Sequence, residues 1–169
     1  YHDMGLIGFV VAPMLTEVPV VFIPTLSFVK GPNTWMETIH KYRGTITFAP
    51  NFAFGLAAKR MNPKRAEKLD LSCLRVVGCG AEPIHADTMR HFVEAFAPAG
   101  LKAEAVMPAY GMAEATLAIT FDRLDRPFRT VRIDRTRYEL DKVVEPSNAP
   151  DAMELVSCGN HFPAHEVGI

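Results

Sequence analysis

The chain has 169 residues, 49% of them hydrophobic, and its 18 basic side chains offset 19 acidic ones for a net charge of −1. That length is about one domain with room for a sizeable core, and the balanced charge excludes the electrostatic footprint of a nucleic-acid or anionic-membrane binder. Cys73, Cys79 and Cys158 make no even disulfide framework and point to a reducing, cytoplasmic setting, while the longest apolar stretch, Gly5 to Leu15, is too short to span a bilayer and holds Pro13.

Taken in chain order, Gly5–Met14 is apolar nearly all round and suits a buried helix. Val20–Ile23, β-branched and aromatic between Pro19 and Pro24, reads as a short buried strand. Thr34-Trp35-Met36-Glu37 has capping-box spacing and opens a helix to about Tyr42. A strand at Thr45–Ala49 is followed by a helix at Phe52–Met61 with Lys59 and Arg60 in its last turn. Leu74–Val77 is a third strand, ending in the glycine turn Gly78-Cys79-Gly80. Then Ala86–Phe96 places Met89, Phe92, Val93 and Phe96 at helical spacing on one core face. Ala103–Met107 reads as a fourth strand, leading into Tyr110-Gly111-Met112-Ala113-Glu114. This alternation predicts an α/β fold, layered, with a largely parallel sheet.

From Asp122 to Glu145 the character changes, with Arg123, Arg126, Arg129, Arg132, Arg135 and Arg137 interleaved with acidic residues. Charges facing water explain that pattern, and Val131 and Ile133 alternating with polar neighbours suggest a short exposed hairpin. The chain divides on this reading into 1–121, an α/β region; 122–154, a charged segment; and 155–169, the beginning of another strand region around Glu166-Val167-Gly168-Ile169.

Several chemistries compete. Gly78-Cys79-Gly80 between a strand and a helix invites a dinucleotide fingerprint, but the third glycine is replaced by Pro83, which removes an amide and a close helix approach. Cys158, His161 and His165 are three candidate zinc ligands with Pro163 between the histidines, a spacing that fits a plain loop better. His2-Asp3 has no Gly-x-Ser-x-Gly elbow to serve. The Tyr110–Glu114 segment offers more: a flat ring, a close backbone approach and one carboxylate, the combination an anionic nucleotide with Mg²⁺ requires. A buried junction between a strand and a helix would share that pattern.

Three segments in order, Tyr1-His2-Asp3-Met4-Gly5-Leu6-Ile7-Gly8, Gly78-Cys79-Gly80-Ala81-Glu82-Pro83-Ile84 and Tyr110-Gly111-Met112-Ala113-Glu114-Ala115-Thr116, together resemble the AMP-forming acyl-adenylating superfamily. Ala113, where the wider superfamily usually has Thr, together with Ala49-Pro50-Asn51-Phe52 and Leu155–Asn160, resembles the fatty acyl-AMP ligase branch. The resemblance implies activation of a fatty acid with ATP to an acyl-adenylate, with release of pyrophosphate and transfer to an acyl carrier protein. A fatty acyl-CoA ligase and a non-catalytic adenylate-binding module are the alternatives.

By the same resemblance, His2 sits near the reacting carboxylate and phosphate, and Glu114 ligates Mg²⁺. Gly80, Ala81, Glu82 and Pro83 line the adenine, Tyr110 stacks on it, and Gly111, Met112 and Ala113 complete the nucleotide wall. Met4, Ile7, Phe48, Asn51 and Phe52 are candidates for the acyl tunnel. The segment 122–154 matches in position an insertion that restrains a small mobile domain. No phosphate loop, ribose-binding Asp or catalytic Lys of the resembled enzymes is recognised between Tyr1 and Ile169. The expectation is therefore an internal fragment of the layered N-terminal domain, inactive alone.

Overall fold

The computed structural model describes residues 2–168. Tyr1, the first residue of the His2 motif, and Ile169 lie outside the described residues. A helical run opens the chain: α1 (Asp3–Leu6), a π-helical turn at Ile7–Val11, and α2 (Ala12–Thr16). α3 (Thr25–Lys30) and α4 (Thr34–Tyr42) follow. Two strand–helix units come next: β1 (Ile46–Ala49), α5 (Asn51–Arg60) and the short α6 (Pro63–Ala66), then β2 (Val76–Cys79) and α7 (Ala86–Phe96). β3 (Val106–Gly111) and β4 (Ala118–Phe121) form a hairpin. β5 (Thr130–Ile133), β6 (Met153–Val156) and β7 (Asn160–His161) complete the chain.

Five strands make one sheet in the order β1-β2-β3-β4-β7, while β5 and β6 pair as a separate antiparallel ribbon. β1, β2 and β3 are parallel, with Phe48 opposite Gly78 and Val77 opposite Val106. β4 and β7 run antiparallel, so the sheet is mixed rather than largely parallel. Chain reversal after Gly111 is the cause: only a few residues separate β3 from β4, too few for a crossover helix.

One face of the sheet is closed. α4, α5 and α7 lay Trp35, Met36, Ile39, Phe54, Met89, Phe92 and Phe96 against Val77, Cys79 and Val106, all buried. The rings of Trp35, Phe54, Phe92 and Phe96 contact in series, with centroids 4.7–5.7 Å apart. The Trp35 indole N–H donates to Thr47 Oγ1 at 2.8 Å, which satisfies its polar edge inside this cluster. Ala53, Ala57 and Ala58 keep α5 narrow, and all three are buried.

The ribbon is tied to the same layer. Arg90 on α7 forks both carboxylate oxygens of Glu154 on β6, one contact at 3.1 Å. The hydrogen bond from Arg90 holds the Glu154 carboxyl below the usual range, with help from Thr130, and Glu154 in turn raises Arg90. Ile133 of β5 is fully buried, while Val131 faces water. The expected hairpin is therefore a longer-range ribbon, buried at its Ile133 end, and its partner strand β6 crosses residues 154 and 155.

Other expectations also change. Residues 20–23 form no strand, because no neighbouring strand supplies hydrogen bonds and Phe22 is exposed. The apolar run 5–14 is helical but not buried: Leu6 and Met14 stand 47% and 75% exposed. The Ala103–Met107 strand begins later, at Val106, because Ala103–Ala105 is a 3-10 turn. Thr34 opens α4 without capping it, and no side chain caps this helix at Asn33. Glu37 pairs with Arg65 at 2.6 Å instead of closing a capping box. Residues 166–168 form no strand. No described helix is long and apolar enough to cross a membrane.

Candidate functional site

The other face of the sheet is open, and a cavity of about 540 Å³ lies there. It lies toward the carboxyl ends of the parallel strands, with Phe48 from β1, Gly80 and Ala81 just after β2, and Ala109, Tyr110 and Gly111 from β3, and reaches back to Ile46 at the start of β1. Carboxyl ends of parallel strands are where open α/β sheets bind ligands, because the chain diverges there into separate loops. The remaining wall comes from His2, Asp3, Met4, Gly8 and Phe9 on one side and from Met112, Ala113, Leu117, Ala118 and Phe121 on the other.

Of the residues singled out in the sequence, His2, Met4, Phe48, Gly80, Ala81, Tyr110, Gly111, Met112 and Ala113 meet at this cavity. Ile7, Asn51, Phe52, Glu82, Pro83 and Glu114 do not line it. Asn51 is buried at the start of α5, where its Oδ1 accepts from the His85 N–H at 3.1 Å. Phe52 is exposed and donates its N–H to Glu82 Oε1 at 2.6 Å. Glu114 sits exposed on the 3-10 turn Ala113–Ala115, one residue beyond the cavity wall.

The sequence reading missed Ile46, Phe9, Ala109, Leu117, Ala118 and Phe121. Ile46 and Ala109 lie two residues from Phe48 and Gly111 on their strands, so alternation of strand faces was a usable signal. Leu117, Ala118 and Phe121 belong to or precede β4, which local pattern did not separate from a helix start.

Glycines and rings set the shape of the floor. A Cβ on Gly78 would fall 2.1 Å from Phe48 Cε1, so the Phe48 ring lies directly on the bare backbone of β2. Phe9 meets Phe48 edge-on at 6.4 Å, Phe48 meets Phe121 at 6.0 Å, and Phe121 meets Phe162 edge-on at 5.0 Å. These four rings make an apolar aromatic wall. At the hairpin, a Cβ on Gly111 would fall 1.9 Å from the Leu117 carbonyl oxygen, so only glycine permits this closure beside the bulge at Tyr110 and Gly111.

The turn carrying Glu114 is strained. Thr116 has φ 71° and ψ −52°, and the Leu117 N–H donates to the Ala115 carbonyl at 2.9 Å. That is the rare form of γ-turn, costly for a β-branched residue. Ala81, on the opposite wall, also has a positive φ of 68°. Of the described non-glycine residues with positive φ, Ala81 alone lines the cavity, and Thr116 adjoins its wall residue Leu117.

At the mouth, His2 precedes α1 and its Nδ1 lies 2.6 Å from Asp3 Oδ1 and 3.2 Å from the Met4 N–H. The imidazole is largely exposed and Asp3 is largely covered, so the carboxylate orients the ring while the far nitrogen stays open. Tyr110 is half exposed near the end of β3 and lines the cavity together with Gly80 and Gly111. Cys79 points into the closed face, where burial, chiefly, pushes its thiol to about 12, so it is no nucleophile. Burial likewise raises Cys158. Among the described residues no group of three His, Cys, Asp or Glu is placed to hold a metal, the Cys158, His161 and His165 set included. A single exposed carboxylate such as Glu114 suits a hard cation whose other ligands are phosphate oxygens and water.

The family model described as "AMP-binding enzyme" matches residues 1–153. A candidate acyl-CoA synthetase of Caulobacter vibrioides is 38% identical over 98% of this chain, which spans 29% of that relative. A medium-chain-fatty-acid–[acyl-carrier-protein] ligase of Teredinibacter turnerae is 32% identical over the whole chain, which spans 26% of it. The solved fatty acyl-adenylate ligase from L. pneumophila, in complex with acyl adenylate and pyrophosphate, superposes with a TM-score of 0.88 at 37% identity. That match covers 95% of this chain and 28% of that one. The chain thus spans between a quarter and a third of these relatives.

Proposed function

The chain belongs to the AMP-binding enzyme family, and from that premise we propose that the intact protein activates a fatty acid with ATP and passes the acyl group to an acyl carrier protein. The observation that carries this reading is one cavity with two chemistries. A nucleotide-suited rim of Tyr110, Gly111, Gly80 and Ala81 joins an aromatic wall of Phe9, Phe48 and Phe121.

In the first step a carboxylate oxygen of the fatty acid attacks the α-phosphorus of ATP. The new phosphorus–oxygen bond forms as the bond to the β-bridging oxygen breaks, and pyrophosphate leaves with that electron pair. A carboxylate is a weak nucleophile, so positioning and charge neutralisation supply most of the acceleration. The apolar wall holds the alkyl chain and excludes water. Tyr110 offers a face to the adenine, and Gly80 and Gly111 permit the tight strand packing and hairpin closure that shape that wall. His2, oriented by Asp3, stands where the carboxylate and phosphate meet. Glu114 is the residue that would hold Mg²⁺, an ion that would neutralise phosphate charge there. In the second step a thiol attacks the acyl carbonyl, the bond to AMP breaks, and the thiol proton passes to solvent.

The charged stretch 122–154, anchored on α7 by the Arg90–Glu154 fork, is the segment assigned to restraining a small domain. The thiols, none in a disulfide, fit a cytoplasmic setting. CoA as acceptor is the second reading, favoured by the Caulobacter relative's name. Mass spectrometry of the intact protein with ATP, Mg²⁺, a fatty acid panel, CoA and carrier protein separates them. Acyl-adenylate transferable to carrier protein but not to CoA is expected; efficient acyl-CoA formation overturns the acceptor, and no adenylate at all leaves a binding module. Glu114→Gln should lower ATP–pyrophosphate exchange by about 100-fold or more, the scale of losing one charge-stabilising group, with folding unchanged by circular dichroism. Unchanged exchange removes Glu114 from the metal role.

A further inference from the structure

The two strand–helix junctions at the cavity exchange side-chain acceptors. Glu82, in the loop after β2, reaches across to the start of α5 and accepts from the Phe52 N–H at 2.6 Å. Asn51, the first residue of α5, reaches back and accepts from the N–H of His85, the residue that precedes α7, at 3.1 Å. Neither helix is capped from within: Pro50 gives α5 no side-chain hydrogen bond, and His85 gives α7 none. Each junction therefore supplies the acceptor that the other lacks.

Between these contacts runs the wall formed by Gly80 and Ala81. Gly80 is pressed against the neighbouring strand, since a Cβ there would fall 2.9 Å from the Ala109 carbonyl oxygen. Ala81 has φ 68°, a conformation that side chains with a Cβ rarely adopt. Something must hold that residue against relaxing: the Gly80 N–H bond to the Ala49 carbonyl at 3.4 Å restrains it from one side, and the Glu82 carboxylate, fixed on α5, from the other.

We propose that Glu82 and Asn51 are positioning residues, a reciprocal clamp that keeps the strained Gly80–Ala81 wall in its nucleotide-accepting shape without touching the nucleotide. This rests on the reading that the wall receives the adenine. It gives Glu82 and Asn51 a role different from ligand contact, and it couples the adenine wall to α5.

The test uses the intact protein, with ATP–pyrophosphate exchange at varied ATP and varied fatty acid, and calorimetric ATP binding in parallel. Glu82→Ala should raise the KM and Kd for ATP about fivefold, the scale of losing one helix-capping acceptor, with the KM for fatty acid unchanged. Glu82→Gln, whose amide oxygen still accepts from Phe52, should stay near the wild type. Adding Ala81→Gly to Glu82→Ala should restore most of the ATP affinity, because glycine adopts a positive φ without penalty. If Glu82→Ala fails to fold, Glu82→Asp, one methylene shorter, is read the same way. Equal shifts in both KM values, or no rescue by Ala81→Gly, overturn the clamp. ATP binding without exchange on any fatty acid sinks the substrate reading alone and leaves the clamp to be judged on Kd; no ATP binding by the wild type sinks both.

Discussion

The two faces of the central sheet are both paved with aromatic rings, yet they are built to opposite ends. On the helix-covered face Trp35, Phe54, Phe92 and Phe96 are buried, in contact with one another and sealed by α4, α5 and α7. On the open face Phe9, Phe48, Phe121 and Phe162 make a similar series of contacts, but the first three border a cavity. The difference lies in what covers the rings, not in the rings. Where helices close the layer, aromatic area becomes stability. Where the layer stays open, the same chemistry borders a cavity, the wall we propose for the acyl chain.

The sharpest way to break this comparison is to delete one ring from each face. Phe92→Ala should destabilise the protein by about 3–5 kcal/mol, because it empties a site in contact with Trp35, Phe54 and Phe96. Phe48→Ala should cost clearly less, since part of its ring already faces the cavity, and should instead change which acids are activated. Denaturant midpoints and exchange rates for the two variants decide this, and equal loss of stability would mean that the open face is as closed as the other.

A smaller effect comes from adding rather than deleting. Gly78→Ala places a methyl 2.1 Å from the Phe48 ring, which must retreat by more than about 1 Å to reach ordinary carbon contact. In a sealed core such overpacking costs about 1–3 kcal/mol. Here the ring can swing into the cavity, so stability should fall by less, while activity on the longest acids should drop about tenfold, the scale of one methylene in an apolar pocket. A chain-length profile of exchange rates reads this out, and an unchanged profile would show that Gly78 does not set the floor.

The smallest effect concerns the loop below the closed face. Hydrogen bonds from the Ser72 hydroxyl and backbone, then from Arg43, hold the Asp70 carboxyl down from 3.8 to about 2. A carboxyl depressed on folding stabilises above its ordinary value, and that contribution disappears as pH falls through the folded value. Between pH 3.8 and about 2 the wild type should therefore lose a small increment of stability that Asp70→Asn does not. Acid titrations of the two proteins check the sign; parallel curves would remove Asp70 from the acid response.

Much of this was legible in residue order, where causes are local. The span Ala86–Phe96 and its core residues Met89, Phe92 and Phe96 follow from helical spacing, and the structure keeps those bounds. Gly111 reads in the sequence as room for a nucleotide against the backbone, and the structure shows there a hairpin closure on the Leu117 carbonyl instead. The failures share one cause. Residues 20–23 have the composition of a strand but no partner to pair with, and the run 5–14 has the composition of a core helix but a bare outer face among the described residues. Composition states what a segment can bury and is silent on what arrives to cover it.

The sequence by itself determined the alternation of elements and the core face of α7, because period and turn chemistry act over a few neighbours, while the motif residues that meet at the cavity follow from the resemblance. Only the tertiary structure decided that β4 returns antiparallel to complete the wall, that Phe48 lies on Gly78, and that Glu82 and Asn51 cap each other's helices. The hairpin partners are near in sequence, but the other pairings join residues 30 or more positions apart, such as Phe52 with Glu82. They exist because parallel strands bring successive loops to one edge of the sheet, a proximity that no local pattern encodes.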